Sequence, residues 1–577
     1  MQRQVLLAIL LSTLVIVGWQ ILFPPRRPTP PTPQQVTSAP SGTAAPTAAA
    51  PAEAATVPTV EAETATPLVA AAAEQDINVT IGDSVEAVFS THGATLKSWR
   101  LKHYKDGAGG HLELIPSNIT GAKRPFTLAL DDATVTATLQ NALFKPSQSS
   151  PITVGSSPVT LVFEYRDASG LSARKAFSFS TEQPYVVRFS TDVTVNDRPL
   201  VPVIHWGPAL ATGAVSGGMI YDPPPQPVFY RDQKVTRVAI GSIEQHRQEP
   251  GSFGFVGVDD HYFLAALLPP PPPQPLQVSY EAITIPAQGN GKGLQFISWS
   301  VKPSGPFKDA QFFFGPKDFD VLQRVKPDLV RAIDFGMFDW LVVPLLRALK
   351  WVNGYIGNYG WSIIALTILI NLAMFPLRHK SVVSMRKMQE IQPQMKAIQD
   401  RYAKLKITDP GRQKMQEEVM ALYKSKGVNP AAGCVPMLLT LPVLFAFYAM
   451  LSVAIELRGA PFVGWIKDLT AHDPYFVTPV LMGLTQFIQT RMQPMGGDPV
   501  QQRMMQFMPI MFAGMLLWAP SGLVLYWTAS NIWTIGQQVI TNRLIGPAPP
   551  QGSRPPAERR LKNAGSGQSA HAAKERK

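Results

Sequence analysis

The residues of this sequence best placed to do chemistry are polar side chains set in apolar runs. In WSIIALTILINLAMFPLR, residues 361–378, Thr367, Asn371 and Arg378 are separated by four and seven positions, so they share one helix face. Gln486 and Gln489 interrupt the apolar run 475–490, and Ser530, Asn531, Thr534, Gln537 and Gln538 interrupt 522–540. In the last run Trp527, Asn531, Thr534 and Gln538 follow at intervals of 4, 3 and 4 and line one side. Hydroxyls, amides and an indole at such spacing either glue membrane helices together or line a wet groove, and the spacing leaves both readings open.

Covalent chemistry finds little support. GNGKG at 289–293 stands in a β-rich region and lacks the spacing of a phosphate loop, and no H-E-x-x-H occurs. The single cysteine, Cys434, excludes a zinc ribbon and an internal disulfide, and reads as a small buried hydrophobe. No nucleotide hydrolysis, metal or cofactor is expected, and the chain is not read as an enzyme. Asp259, Asp260 and His261 raise the idea of a metal or acid–base site, but they are consecutive in GFVGVDDHYFLAALLP, where strand alternation sends neighbours to opposite faces. The proline tract at 269–273 reads as a rigid loop.

The polar stripes must be carried by membrane helices. A mean hydropathy of +0.04 is high for a soluble protein, and a handful of apolar runs produce it. Residues 5–23 follow only Arg3 and lead into PPRRPTPPTP without a small-residue cleavage site, so they read as an uncleaved anchor rather than a signal peptide. Further spans are expected near 361–377, 434–455, 475–490, 504–519 and 522–540, the last two joined by a turn at Pro520-Ser521. Two of these, at about 16 residues, reach only about 24 Å across a hydrocarbon core of about 30 Å, which calls for local thinning of the bilayer.

Between the spans lie segments of other character. Residues 24–75 are rich in Pro, Ala and Thr and read as a disordered tether. From 76 to 330 the period is two, as in Leu161, Phe163, Tyr165 and in Phe189, Thr191, Val193, Val195, with turns such as Asn196-Asp197, which indicates a large β-sandwich. Residues 331–354 return to helical spacing, with Phe338, Leu341, Leu345, Leu349 and Val352 on one face and Asp339, Arg347 and Lys350 opposite, a pattern for a helix lying in the membrane interface or, alternatively, for a linker helix packed on the sandwich.

The segment 378–428 carries, between Arg378 and Lys426, twelve Lys/Arg against five Asp/Glu and is placed inside by the positive-inside rule. Met388, Ile391, Met395, Ile398, Tyr402 and Leu405 make a heptad seam, and Met415, Val419 and Leu422 resume it after Thr408-Asp409-Pro410-Gly411, so an antiparallel hairpin is expected. Pro393 predicts a kink or a late start. The methionines pack on the partner helix or, alternatively, offer an adaptable surface to apolar clients. The tail 546–577 is basic, Pro- and Gly-rich, and expected to be disordered. With Arg491 and Arg503 bracketing an inside loop, the chain reads as a polytopic α-helical membrane protein with six spans, both termini cytoplasmic and a large all-β sandwich outside.

The residues NPAAGCVPMLLTLPVLFAFYAML (429–451), DPYFVTPVLMGLTQFIQ (473–489), QQRMMQFMPIMF (501–512) and PSGLVLYWTASN (520–531) resemble the YidC membrane protein insertases of Gram-negative bacteria. The core resemblance covers about 355–545, and anchor, periplasmic sandwich, interfacial helix and hairpin extend it over nearly the whole chain. It implies an inner-membrane protein whose five-helix insertase core passes hydrophobic segments of nascent proteins into lipid through a hydrophilic groove, alone or beside the Sec translocon. It implies no cofactor and a single working copy, with lipid and, through the basic hairpin and tail, the ribosome as further partners.

Carried onto this sequence, the resemblance implies a groove lined by Thr367, Asn371, Arg378, Gln486, Gln489, Tyr526, Trp527, Ser530, Asn531 and Thr534, and a client-capturing hairpin with Met388, Met395, Tyr402 and Met415. One departure stands out. The family commonly carries arginine where this chain has Asn371, and Arg378, two turns away on the same face, is the candidate to supply that charge. Two competing readings are a transporter or channel, which wants ligands near the midplane and repeats that are not visible, and an anchored periplasmic carbohydrate-binding or processing protein, for which one span would suffice.

Overall fold

A computed structural model describes residues 66–545, apart from 107–108, 117–118, 120–121, 211–224, 271, 273, 286–293, 403–404, 406–408, 428–434 and 493–498. The anchor 5–23, most of the tether, the GNGKG stretch, Cys434 and the basic tail therefore lie outside the described residues.

Among the described residues, strands in three sheets recur from Pro67 to Pro316. The largest sheet has eleven, its path running through Pro67–Val69, Val159–Asp167, Leu171–Phe179, Val186–Val195, Ala310–Pro316, Phe263–Leu268, Phe255–Asp259, Gln226–Arg231 and Lys234–Arg237. Two five-stranded sheets complete the domain. Alternation does what it should: Leu161, Phe163, Tyr165, Phe189, Thr191 and Val193 are buried. At the centre the Trp206 ring stacks on Trp299 and Phe312, with centroids 5.8 and 5.0 Å away, and meets Phe126 edge-on. Asn196 and Asp197 both take positive φ, as a tight hairpin turn requires.

The strand Pro67–Val69 falls inside the segment expected to be a tether. It is an edge strand held by main-chain pairing to Val159–Asp167, with Leu68 exposed, so its side chains carried no burial signal. The triad Asp259, Asp260 and His261 resolves into a structural turn. Asp259 is buried between Lys317 Nζ at 3.2 Å and Arg237 Nε at 3.1 Å, while Asp260 Oδ1 accepts from the amides of Tyr262 and Phe263.

Among the described residues, nine helices follow in order: α1 (Ala133–Asn141) and α2 (Phe319–Val325) in the β domain, then α3 (Asp339–Ile356), α4 (Tyr359–Arg401), α5 (Gly411–Ser425), α6 (Val435–Val453), α7 (Val477–Met492), α8 (Pro499–Met515) and α9 (Ser521–Ile545). Two short 3-10 turns precede α3, and Gly357 ends it in the left-handed conformation that suits glycine. Its buried face is Val342, Leu345, Leu346, Leu349 and Val352. Asp339 and Arg347 are exposed away from that face, as expected, but they share the outer side with exposed Trp340, Trp351 and Tyr355, and Lys350 is drawn into an ion cluster with the β domain.

Helix α4 runs for 43 residues through both Pro376 and Pro393, so one helix is span and hairpin arm together, with no break at residue 378 and no late start. Each proline removes one backbone donor, a loss that the surrounding turns of an otherwise continuous helix absorb. Its distal part and α5 form the hairpin. Arg401 and Tyr402 bond Glu418 at 2.8 and 2.7 Å, and Tyr423 Oη donates to Met395 Sδ at 3.0 Å. Helix α8 starts five residues before its expected span and stops at Met515, so residues 516–520 connect it to α9 in place of a two-residue turn.

Candidate functional site

The helical core is polar within and apolar without. Thr367, Asn371, Thr528, Asn531, Gln537, Gln538 and Thr541 are buried, whereas Leu369, Leu372, Phe445, Leu484, Met511 and Ile540 are exposed. In water that arrangement would be unstable; with hydrocarbon as solvent the outward residues are at home and the inward ones find partners. Tyr359–Ser384 is the one stretch among the described residues that meets an ordinary length and hydropathy criterion for a span. At about 1.5 Å per residue, the 16 residues of α7 and 17 of α8 extend about 24 and 26 Å.

Three helices carry the polar face. Asn358 caps α4, its Oδ1 accepting from Gly360 and Trp361 at 2.9 and 3.2 Å. Asp473 fixes the start of α7 by accepting from the Tyr475 and Thr478 amides, Thr478 Oγ1 and Trp465 Nε1. The loop before α7 then accepts the Ser521 and Gly522 amides at Ala471 O and Leu469 O, so α7 and α9 begin at the same end. A Cβ on Gly522 would lie 3.5 Å from the Ile363 side chain, which places the start of α4 there too.

Along these parallel helices the expected residues divide into groups. Thr367 Oγ1 donates to Ile363 O at 2.6 Å and Asn371 Nδ2 to Thr367 O at 2.8 Å, both back onto their own helix. Arg378 Nη1 crosses to α9 and donates to Thr534 Oγ1 at 3.0 Å, while Thr534 donates to Ser530 O. Trp527 Nε1 donates to Gln486 Oε1 at 3.1 Å, and Asn531 Nδ2 to Thr485 Oγ1 at 3.2 Å, joining α9 to α7. Tyr526 turns the other way, its ring stacked on Phe447 of α6 with centroids 4.1 Å apart. Met388, Met395, Tyr402 and Met415 lie half-buried along the hairpin seam, beside the buried Ile391.

Thr485, His379, Trp533 and Thr541 were not foreseen, whereas Gln489 and Gln537 were. Thr485 sits four residues before Gln489 on the same face of α7, a spacing that could have marked it. His379 Nδ1, Gln489 Oε1, Trp533 Nε1, both side-chain polar atoms of Gln537 and Thr541 Oγ1 are buried without a protein partner. These six atoms lie at or beyond the midpoints of α4, α7 and α9. Buried polar atoms in such number call for water or a passing polar chain as partner.

The chain's similarities to known proteins agree with this division. Residues 351–547 match the family described as 60Kd inner membrane protein, and residues 78–348 match the YidC periplasmic domain. The membrane protein insertase YidC of Geobacter metallireducens is 33% identical over 95% of this chain and 99% of its own length. That of Geobacter sulfurreducens is 37% identical over 80% of this chain and 85% of its own. A solved structure described as an active YidC insertase with its first transmembrane domain resolved is similar over 82% of this chain and 94% of its own, at 18% identity and a TM-score of 0.33.

Proposed function

Because the chain belongs to the YidC membrane protein insertase family, inner-membrane proteins with a periplasmic domain, we propose that the polar face shared by α4, α7 and α9 is its client groove. The protein is an insertase, not an enzyme, and its substrates are nascent membrane proteins. The observation that carries the groove is the set of partnerless buried polar atoms at or beyond the midpoints of α4, α7 and α9, which supports entry from the cytoplasm into a hydrated space.

A client's polar flank that crosses the bilayer alone costs about 2.5–3.5 kcal/mol per charged residue at its centre. Amides and hydroxyls of the groove replace part of the lost hydration, and helices of about 24–26 Å shorten the apolar path. The client's apolar segment leaves sideways into lipid, driven by roughly 25 cal/mol for each Å2 of apolar surface removed from water. No fuel enters the scheme.

Arg378 supplies the positive charge, positioned by Thr534, and draws acidic client residues into the groove mouth. Thr367, Asn371, Gln486, Gln489, Trp527, Ser530 and Asn531 line the path, and Tyr526 braces it from the α6 side. The hairpin guides clients inward, its seam methionines serving first to pack α5 on α4. The same family resemblance supports work beside the Sec translocon on larger clients and contact of the basic hairpin and tail with the ribosome. The testing experiment is insertion of a client with an acidic translocated tail by Arg378→Ala in proteoliposomes; an unchanged rate removes Arg378 from this role.

A further inference from the structure

The Asp259-Asp260-His261 turn has no part in the groove, yet it touches the helical core. His261 Nε2 donates to the carbonyl of Ser452, one of the last carbonyls of α6, which as a helix end lacks partners within its own helix. The Arg458 guanidinium, just beyond α6, lies 5.3 Å from the Tyr262 ring centre and 5.2 Å from that of Phe263. Lys317, from the β domain, holds this turn by bonding Asp259 Oδ2 at 3.2 Å and Asp260 O.

A second contact lies alongside. Lys350 of α3 pairs with Glu456 Oε1 at 3.1 Å, Asp318 Oδ2 at 3.6 Å and Asp320 Oδ2, so one ammonium joins the turn after α6 to the start of α2 in the β domain. Burial, then Asp318, raise the Glu456 carboxyl above its ordinary range. Burial works to lower Lys350, but Glu456, Asp320 and Asp318 more than reverse it, so the ammonium stays charged. Arg347 covers the Phe319 ring at 5.2 Å, and Phe338 stacks on Phe445 of α6 at 5.8 Å.

Helix α6 takes these contacts in its later turns and just beyond them. It packs mainly on α3 and only lightly on α4 and α9. We infer that the turn at 259–263 and the Lys350 cluster form a joint by which the β domain sets the position of α6, with His261 and Lys350 as positioning residues for insertion. This rests on the proposed groove, which α6 braces through the stack of Phe447 on Tyr526, and it gives the β domain a mechanical part in the core's work: the last turn of a core helix is capped by a residue of the outer domain.

The test uses spin labels in the full-length protein with Cys434→Ser. One pair, Leu369→Cys with Tyr448→Cys, reads α4 to α6, and a second, Leu369→Cys with Ile540→Cys, reads α4 to α9. His261→Ala and the double variant Lys350→Met/Glu456→Gln, which leaves no unpaired Glu456 carboxylate, should broaden the first distance distribution, leave the second unchanged and slow insertion about tenfold. Lys350→Arg should restore both readouts. An unchanged α4-to-α6 distribution in both disrupting variants overturns the joint, whatever the insertion rate. Broadening with undiminished insertion keeps the joint's structural effect but overturns its positioning role, while the Arg378→Ala experiment tests the groove separately. Broadening of both pairs marks general unfolding and also counts against a local joint.

Discussion

Arg378→Ala removes the guanidinium that reaches Thr534 Oγ1 at 3.0 Å. A client carboxylate about 5 Å from that charge gains, at an effective dielectric constant of about 20, roughly 3 kcal/mol. Water in the groove and relaxation of the client reduce this to about 1.4–2 kcal/mol, a loss of about 10- to 30-fold in rate. In proteoliposomes, Arg378→Ala should therefore slow a client with an acidic translocated tail by about that factor and leave the same client with a neutral tail within about twofold. Position 371 lies seven residues earlier, about 10 Å along the helix, where the same charge acts on the same carboxylate with only about 1.4 kcal/mol. Adding Asn371→Arg to Arg378→Ala should accordingly recover part of the rate for the acidic client. Equal slowing of both clients would mean that Arg378 acts by packing, and no slowing would mean that the groove works without it.

Two further outcomes concern stability. Burial pushes Lys175 in the β domain down to about 7, against about 10.4 in an unfolded chain. Between these values the unfolded chain binds the extra proton, so the contribution of Lys175 is present in full above about pH 10.4 and is lost as pH falls to about 7. The three carbonyls it reaches, Gly93 O at 2.6 Å, Phe126 O at 2.7 Å and Ala94 O at 3.3 Å, favour the ammonium and reduce the slope. The thermal midpoint of the protein in detergent should rise from about pH 7 to 9.5 more steeply than that of Lys175→Met; parallel profiles would refute this. Asp473→Ala strips the start of α7 of four bonds of 2.8–3.0 Å and should cost about 2–4 kcal/mol. The expected readout is a lower thermal midpoint with faster proteolysis in the loop before α7, and Asp473→Asn should lose less.

Periodicity within one element was legible from the sequence, and contacts between distant elements were not. Alternation at Leu161, Phe163 and Tyr165, the hairpin seam through Met388 and Met395, and the shared face of Thr367, Asn371 and Arg378 all follow from local geometry. The partner of Arg378 is 156 residues away in the chain, at Thr534, and no spacing announces it. Of the charges expected on the outer side of α3, Lys350 alone departs, because it faces carboxylates contributed by α2 and the turn after α6. Pro376 and Pro393 misled for a different reason: proline penalises a helix but does not forbid one whose neighbouring turns are sound. Strand alternation already argued against a catalytic Asp259-Asp260-His261, but its actual partners, Lys317, Arg237 and the Ser452 carbonyl, are distant in the chain and no spacing announced them.

The most direct test is reconstitution of the purified chain, alone, in liposomes, with a short two-span client supplied and no gradient of small solute. Protease protection of the client's translocated loop is the measurement. Insertion should proceed with this protein as the single component and slow with Arg378→Ala when the loop is acidic. Protection no greater than in protein-free liposomes, or protection that requires a solute gradient, would contradict a groove that lowers the barrier and leaves the driving force to the client's own burial in lipid.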